Sequence, residues 1–262
     1  MLTAMILYCV LGAVAGLLAG LLGIGGGAVV VPMLVFAFDW LQIPQNVAIH
    51  MAIGTSLGSI MFTAMSSARA HHKRGGVDWN VVKYIALGII AGTYAGTFVA
   101  AAIPARYLQM FFVCFLYYVA TNMLLNKKPN PPRQLPGCAG MTGAGAFIGA
   151  VSSLVGIGGG TLSVPFLVWH NVDMRRAVGT SAAIGFPIAL AGCLGFIVNG
   201  WGTATLPEYS LGFIYLPALV GIVSVTAPRG AALAHKLPIP KLKRFFACFL
   251  YCVATRMLFD VL

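Results

Sequence analysis

One glycine-rich signature occurs twice in this chain. Gly12-Ala-Val-Ala-Gly16 leads into Gly23-Ile-Gly25-Gly26-Gly27-Ala-Val-Val-Val-Pro32, and 133 positions later Gly145-Ala-Phe-Ile-Gly149 leads into Gly156-Ile-Gly158-Gly159-Gly160-Thr-Leu-Ser-Val-Pro165. A long pattern that recurs in order marks two copies of one structural unit, and the natural place for a shared site is where the copies meet. Further matches carry the repeat toward both ends of each unit. Gly54-Thr55-Ser56 answers Gly179-Thr180-Ser181, Pro104 answers Pro238, and Phe111-Phe112-Val-Cys114-Phe-Leu-Tyr117 answers Phe245-Phe246-Ala-Cys248-Phe-Leu-Tyr251, followed by Ala120-Thr121 and Ala254-Thr255.

The solvent for this unit is lipid. Hydrophobic residues make up 60% of the chain and charged residues 8%, against roughly a quarter charged in a soluble domain. Apolar stretches at 4–22, 47–68, 81–103 and 107–125 recur at 139–155, 177–198, 209–234 and 245–259, most of them near the ~20 residues that a spanning helix needs. The first stretch lacks a basic leader segment and has an internal counterpart, so it reads as mature structure rather than a signal peptide. The expected organisation is repeat 1 over 1–128, a cytoplasmic linker over 129–136 and repeat 2 over 137–262, forming one integrated transport domain.

Charge tests the layout. The span 4–38 is too long for one simple helix at ~1.5 Å per residue, and Gly23 to Gly27 interrupt it where a helix is weakest. The remaining piece, Ala28 to Phe38, is short for ~30 Å of hydrocarbon, which predicts a re-entrant hairpin. A hairpin followed by three crossings makes the number of crossings odd, so the second repeat enters the membrane upside down. All Lys and Arg except Arg106 and Arg256 then fall on one side, as the positive-inside rule requires of the cytoplasm, and both termini fall outside. Hairpins that cross fully would give the same parity. The expected fold is therefore an all-α polytopic membrane protein of two inverted-topology repeats, each a glycine-broken re-entrant helical hairpin plus three transmembrane helices.

This layout accounts for the formal net charge of +11 without nucleic acid, since the basic residues sit in short loops with no interleaved aromatic face. The six cysteines form no CxxC pair and no histidine stands at metal-ligand spacing, so neither a metal nor a cofactor is implied. Gly23-x-Gly25-x-x-Ala28 superficially matches a dinucleotide fingerprint, but it lacks the preceding strand and the later carboxylate. Asp39, Asp78, Asp173, Glu208 and Asp260 all fall in loops or near stretch ends. That distribution leaves no intramembrane acid for a proton relay, an acidic cation filter or an aspartate protease.

What the breaks offer is a place for an anion. A helix resuming after Gly27 or Gly160 points free N–H groups and the positive end of its dipole toward the membrane middle. The candidate substrate-binding set is Gly25, Gly26, Gly27, Gly158, Gly159 and Gly160, joined by Thr55, Ser56, Thr180 and Ser181 at intermediate depth. Tight helix packing around glycine and hydroxyls that satisfy helix carbonyls are the structural alternatives. Arg69, Arg175 and Arg176 could recruit anions at the cytoplasmic mouth, although topology alone explains them. His50 stands four residues before the first Gly-Thr-Ser, and no histidine stands there in the second, which excludes a symmetric role.

At the two Gly-Ile-Gly-Gly-Gly segments, each followed five residues later by Pro32 or Pro165, and at the paired Gly-Thr-Ser motifs, the chain resembles the sulfite exporter TauE/SafE family over nearly its whole length. The resemblance implies a permease for sulfur-containing anions such as sulfite or organosulfonates in a bacterial inner membrane. Its expected partners are a small anion, the lipid bilayer and a coupling ion. Oligomeric state, transport direction and the particular anion are not written in these motifs. Two other readings stay open: a passive anion channel, and a membrane enzyme, for which no nucleophile with a positioned base is found.

Overall fold

The computed structural model describes residues 7–13, 26–125, 134–223 and 239–261. The helices are α1 (residues 7–13), α2 (Gly27–Trp40), α3 (Gln45–Lys73), α4 (Trp79–Ala102), α5 (Ala105–Leu125), α6 (Cys138–Val155), α7 (Gly160–Trp169), α8 (Met174–Gly200), α9 (residues 216–223) and α10 (Ile239–Val261). Five of them, α3 to α6 and α8, are long and apolar enough to cross a bilayer. The protein is an all-α polytopic membrane protein.

The sequence expectation for 209–234 needs one correction. That stretch does not start as helix: Ser210–Leu211 (β1) and Ile214–Tyr215 (β2) pair as an antiparallel hairpin, turning at Gly212 with φ +55, and α9 begins at 216. Gly212 suits that turn because a positive φ costs glycine little. A Cβ there would also overlap Ile197 O, so the hairpin lies flat against the end of α8.

Helix ends are set by recognisable chemistry. Asp78 caps α4 by accepting from the amides of Asn80 and Val81, and Asp173 caps α8 by accepting from the amide of Arg175. Both helices start beside basic loops. The ends of α2 and α7 close in the same way: Ile43 N–H donates to Phe38 O and Val172 N–H to Leu167 O, with Gln42 and Asn171 at positive φ. From these turns α3 and α8 run back alongside α2 and α7.

Packing follows the glycines. α4 lies along α6, α3 along α8, and α5 along α10. Gly145 and Gly149 of α6 face Ile85, Ile89 and Thr93 of α4, while Gly88 and Gly92 of α4 face Thr142 and Ala146 of α6. Gly12 of α1 likewise lies on Ile222 of α9, where a Cβ would be 2.7 Å from the Ile222 Cα. In lipid there is no hydrophobic force between apolar helices, so backbones that approach this closely hold by van der Waals contact. α5 and α10 add polar contacts: Tyr117 Oη lies 2.8 Å from Thr255 Oγ1, and Tyr251 Oη lies 2.6 Å from Thr121 Oγ1.

α3 is buried along most of its apolar length, whereas α4, α5 and α6 keep a broad face open. Those open faces carry Leu87, Phe98, Tyr118 and Phe147, side chains suited to lipid. The four tryptophans, Trp40, Trp79, Trp169 and Trp201, are all exposed and all stand at helix ends, the usual place for an interfacial aromatic belt. α2 begins at Gly27 and α7 at Gly160, and each ends at one of them. At ~1.5 Å per residue they are about 21 and 15 Å long, close to half of ~30 Å of hydrocarbon.

Candidate functional site

The start of α2 meets the second glycine break. A Cβ on Gly27, the first residue of α2, would overlap Gly156 O and lie 2.9 Å from the Ile157 Cα, so the start of α2 rests directly on the second break. The helix α6 stops at Gly156, which is in the left-handed region at φ +72, and α7 begins after Gly159 at φ +78. Neither conformation suits an ordinary L residue.

α3 and α8 enclose this junction. Ser56 Oγ donates to Gly156 O at 2.9 Å, a Cβ on Gly158 would lie 2.8 Å from Ile60 Cγ2, and one on Gly185 would lie 3.0 Å from Gly158 O. Ser56 and Gly185 each stand eleven residues from the first residue of their helix, about 17 Å along it. The junction is therefore near the middle of both long helices.

The paired Gly-Thr-Ser motifs have a structural employment that sequence reasoning did not foresee. Thr55 Oγ1 accepts from Tyr215 N–H at 3.0 Å, and Thr180 Oγ1 accepts from Asp78 N–H at 2.9 Å. A Cβ on Gly54 would meet Phe213 O, and one on Gly179 would meet Gly76 O. Each motif thus grips the loop that leads into a helix of the other half, α9 in one case and α4 in the other. Replacing Thr55 or Thr180 by valine keeps the shape and strands an amide, so each variant is expected to lose about 1–2 kcal/mol in thermal unfolding.

The four hydroxyls consequently differ in availability. Ser56 spends its proton on Gly156 O, and Thr55 and Thr180 hold backbone amides, whereas Ser181 Oγ is buried with no partner among the described residues. Gly26 caps α2 and Gly27 opens it; Gly25 lies outside the described residues. Gly158, Gly159 and Gly160 form the start of α7, where Leu162 and Ser163 N–H donate to Gly159 O. Ahead of them, the amides of Gly158, Gly159, Gly160 and Thr161 have no acceptor among the described residues.

The basic candidates lie elsewhere. Arg69 lines an open groove of about 450 Å³ with Phe62, Met65, Ser66, Lys73 and Val223, at the end of α3. Arg175 and Arg176 are exposed at the start of α8, with the Arg175 carbonyl near Gly76. None of the three is part of the glycine junction. His50 is buried against α4, its Nε2 at 3.1 Å from Ala100 O and 3.2 Å from Ile103 O, and its ring stacks on Phe213.

No carboxylate is buried among the described residues: Asp78 and Asp173 cap helices, Asp260 pairs with Arg256 at 2.6 Å, and Asp39 and Glu208 stand outside the core. No group of three His, Cys, Asp or Glu gathers at metal-binding distance among them either. What the junction offers is neutral: helix amides, glycine backbone and hydroxyls. Such groups can bind a small anion by hydrogen bonding.

Comparisons with known proteins agree with a membrane assignment. A "Probable membrane transporter protein" of Haemophilus influenzae is 39% identical over 262 residues, covering 98% of this chain and 99% of that protein. The Bacillus subtilis protein "Probable membrane transporter protein YunE" is 27% identical, with 97% of each chain covered. A further "Probable membrane transporter protein", from Methanocaldococcus jannaschii, is 28% identical over 80% of this chain and 78% of its own. The family described as "Sulfite exporter TauE/SafE" matches residues 8–257, and with so nearly complete a match this chain belongs to that family of membrane transporters.

Proposed function

We propose that this protein is a secondary carrier for small anions, sulfur oxyanions such as sulfite and organosulfonates foremost, working by alternating access around a site at mid-membrane. The single observation that supports this most is the meeting of Gly27 with Gly156 and Ile157 near the middle of α3 and α8. Two half-membrane helices begin there, and amides left free at such starts favour negative charge. In this reading Gly25, Gly26, Gly27, Gly158, Gly159, Gly160 and Ser181 surround the place where the anion is held. Thr55, Ser56 and Thr180 hold the frame that presents it.

The inverted repeat belongs to the same proposal. It is supported by contacts that recur between halves: Gly12 on Ile222 as Gly145 on Ile85, and Thr55 on Tyr215 as Thr180 on Asp78. An inner-membrane location with both termini outside follows from the basic loops at the ends of α3 and the starts of α4, α8 and α10. Arg69, Arg175 and Arg176 then stand at the cytoplasmic mouth, where their charge raises the local anion concentration.

Purified protein in proteoliposomes should take up radiolabelled sulfite or methanesulfonate with saturation, and unlabelled anion on the far side should accelerate uptake. A linear, non-saturating flux without such counterflow would favour a channel. Absence of any anion flux from folded protein would overturn the proposal.

A further inference from the structure

The hydroxyls near the junction are unevenly shared. Ser152, Thr161, Ser163 and Ser181 all have buried hydroxyl oxygens with no partner among the described residues. Ser163 has no exposed surface, and its Oγ lies 3.2 Å from where a Cβ on Gly159 would be, so it is aimed at the cap of its own helix α7. Ser152 stands in the last turn of α6, its carbonyl accepting from the amides of Gly156 and Ile157. Ser181 lies one turn before Gly185 on α8, and a Cβ on Gly185 would lie 3.0 Å from Gly158 O.

In the first half only Ser56, at the place of Ser181, answers them, and its hydroxyl already donates to Gly156 O. Aligning Gly27 with Gly160 puts Ala28 opposite Thr161, Val30 opposite Ser163 and Ala19 opposite Ser152. An unpaired buried hydroxyl costs free energy, and α7 carries two without a partner among the described residues, Thr161 and Ser163, where α2 has aliphatic side chains. Packing alone gives no reason for that difference, because valine fills such positions in α2.

Resting on the transporter reading above, we propose that the charged head of the substrate is bound by the second half alone. The amides of Gly158 to Thr161 and the hydroxyls of Thr161, Ser163 and Ser181 donate to it, and the site selects singly charged oxyanions over doubly charged ones. The selection follows from the neutrality of the donors. The buried ionisable side chains among the described residues are His50, which is engaged with α4, and Tyr8, a neutral phenol on α1, and residues 14–25 contain none. The cost of removing an ion from water rises with the square of its charge, whereas its attraction to fixed dipoles rises only in proportion. A dianion therefore loses more than these dipoles return. The head is an oxyanion with several acceptor oxygens, since one acceptor atom could not engage donors arrayed along a helix start.

The test uses the full chain in proteoliposomes, with methanesulfonate and sulfate as probes. Wild-type protein should transport methanesulfonate with a kcat/KM at least about tenfold above that for sulfate. Ser163→Ala and the isosteric Thr161→Val should each raise the methanesulfonate KM about tenfold, the loss of one hydrogen bond to a charged group, while Val30→Ala leaves it within about twofold. Monodisperse elution monitors folding, and Thr161→Val, which keeps its shape, decides the matter if Ser163→Ala misfolds. Active wild-type protein that moves sulfate equally well, or an unchanged KM in Thr161→Val, overturns this inference and leaves the transporter reading standing. Wild-type protein that moves neither probe overturns both.

Discussion

Alanine at Gly27 is expected to reduce anion transport at least about tenfold while the protein still folds and inserts. The added Cβ would overlap Gly156 O and come within 2.9 Å of the Ile157 Cα and 3.1 Å of the Gly156 carbonyl carbon. These are backbone atoms, so no rotamer change relieves the clash, and the start of α2 and the second break must separate. Overpacking of this kind costs about 1–3 kcal/mol, which a well-packed membrane helix bundle can survive. What it alters first is distance. Anion binding by fixed amides depends on their convergence, and donors moved by a few tenths of an ångström from a common point lose much of their shared effect. Initial uptake rates per folded protein in proteoliposomes give the measurement, with Gly143→Ala as the control, since a Cβ there has open space around it. Gly27→Ala with wild-type uptake would show that the contact between breaks is packing and nothing more.

Much of this geometry is legible in the chain because glycine requirements are backbone requirements. The doubled Gly-Ile-Gly-Gly-Gly segment announced a break in each half, and the structure shows the second at Gly156 to Gly159, with α2 starting from Gly27 on top of it. The meeting itself was expected from the repeat, since equivalent elements of an internally duplicated fold gather about a common axis. The partner of each Gly-Thr-Ser motif was not legible. Its contacts lie with Phe213 and Tyr215 in one case and Gly76 and Asp78 in the other, more than a hundred residues away. A hydroxyl in an apolar helix reads equally as substrate ligand or backbone clamp until the far segment is in place.

The hairpin at Ser210 to Tyr215 was missed for a different reason. Apolar residues continue through it, so hydropathy alone extends the helix, although Pro207 just before the stretch and Gly212 within it are turn signals. Ser152, Thr161 and Ser163 escaped notice because they form no repeated motif. Their significance is the departure from symmetry, visible once Gly160 is set against Gly27 and their buried oxygens have no partners among the described residues.

A larger effect on stability is expected at Gly92, on the seam between α4 and α6. Gly88, Gly92 and Gly96 recur every fourth residue on α4 and so form one stripe, facing Thr142, Ala146 and Ala150 on α6. A Cβ on Gly92 would overlap Ala146 O and lie 2.6 Å from the Ala146 Cα, again backbone on every side. Valine there adds branched bulk that no neighbour can yield to, and the helices must part along several turns. With lipid tails as apolar as the side chains, separated helices gain nothing from hydrophobic burial, so the lost contact is not recovered elsewhere. Gly92→Val should therefore cost about 3 kcal/mol or more and lower the unfolding temperature by roughly 10 °C, with a falling yield of monodisperse protein. α4 also lies against α8, and Gly192 of α8 faces Thr93. A shift of α4 is thus passed to the helix that carries Gly185 and Ser181 beside the second break, and transport should fall along with stability. An unfolding temperature within a degree or two of wild type would mean that α4 and α6 are not held by this seam, and the long close contact between them would need another cause.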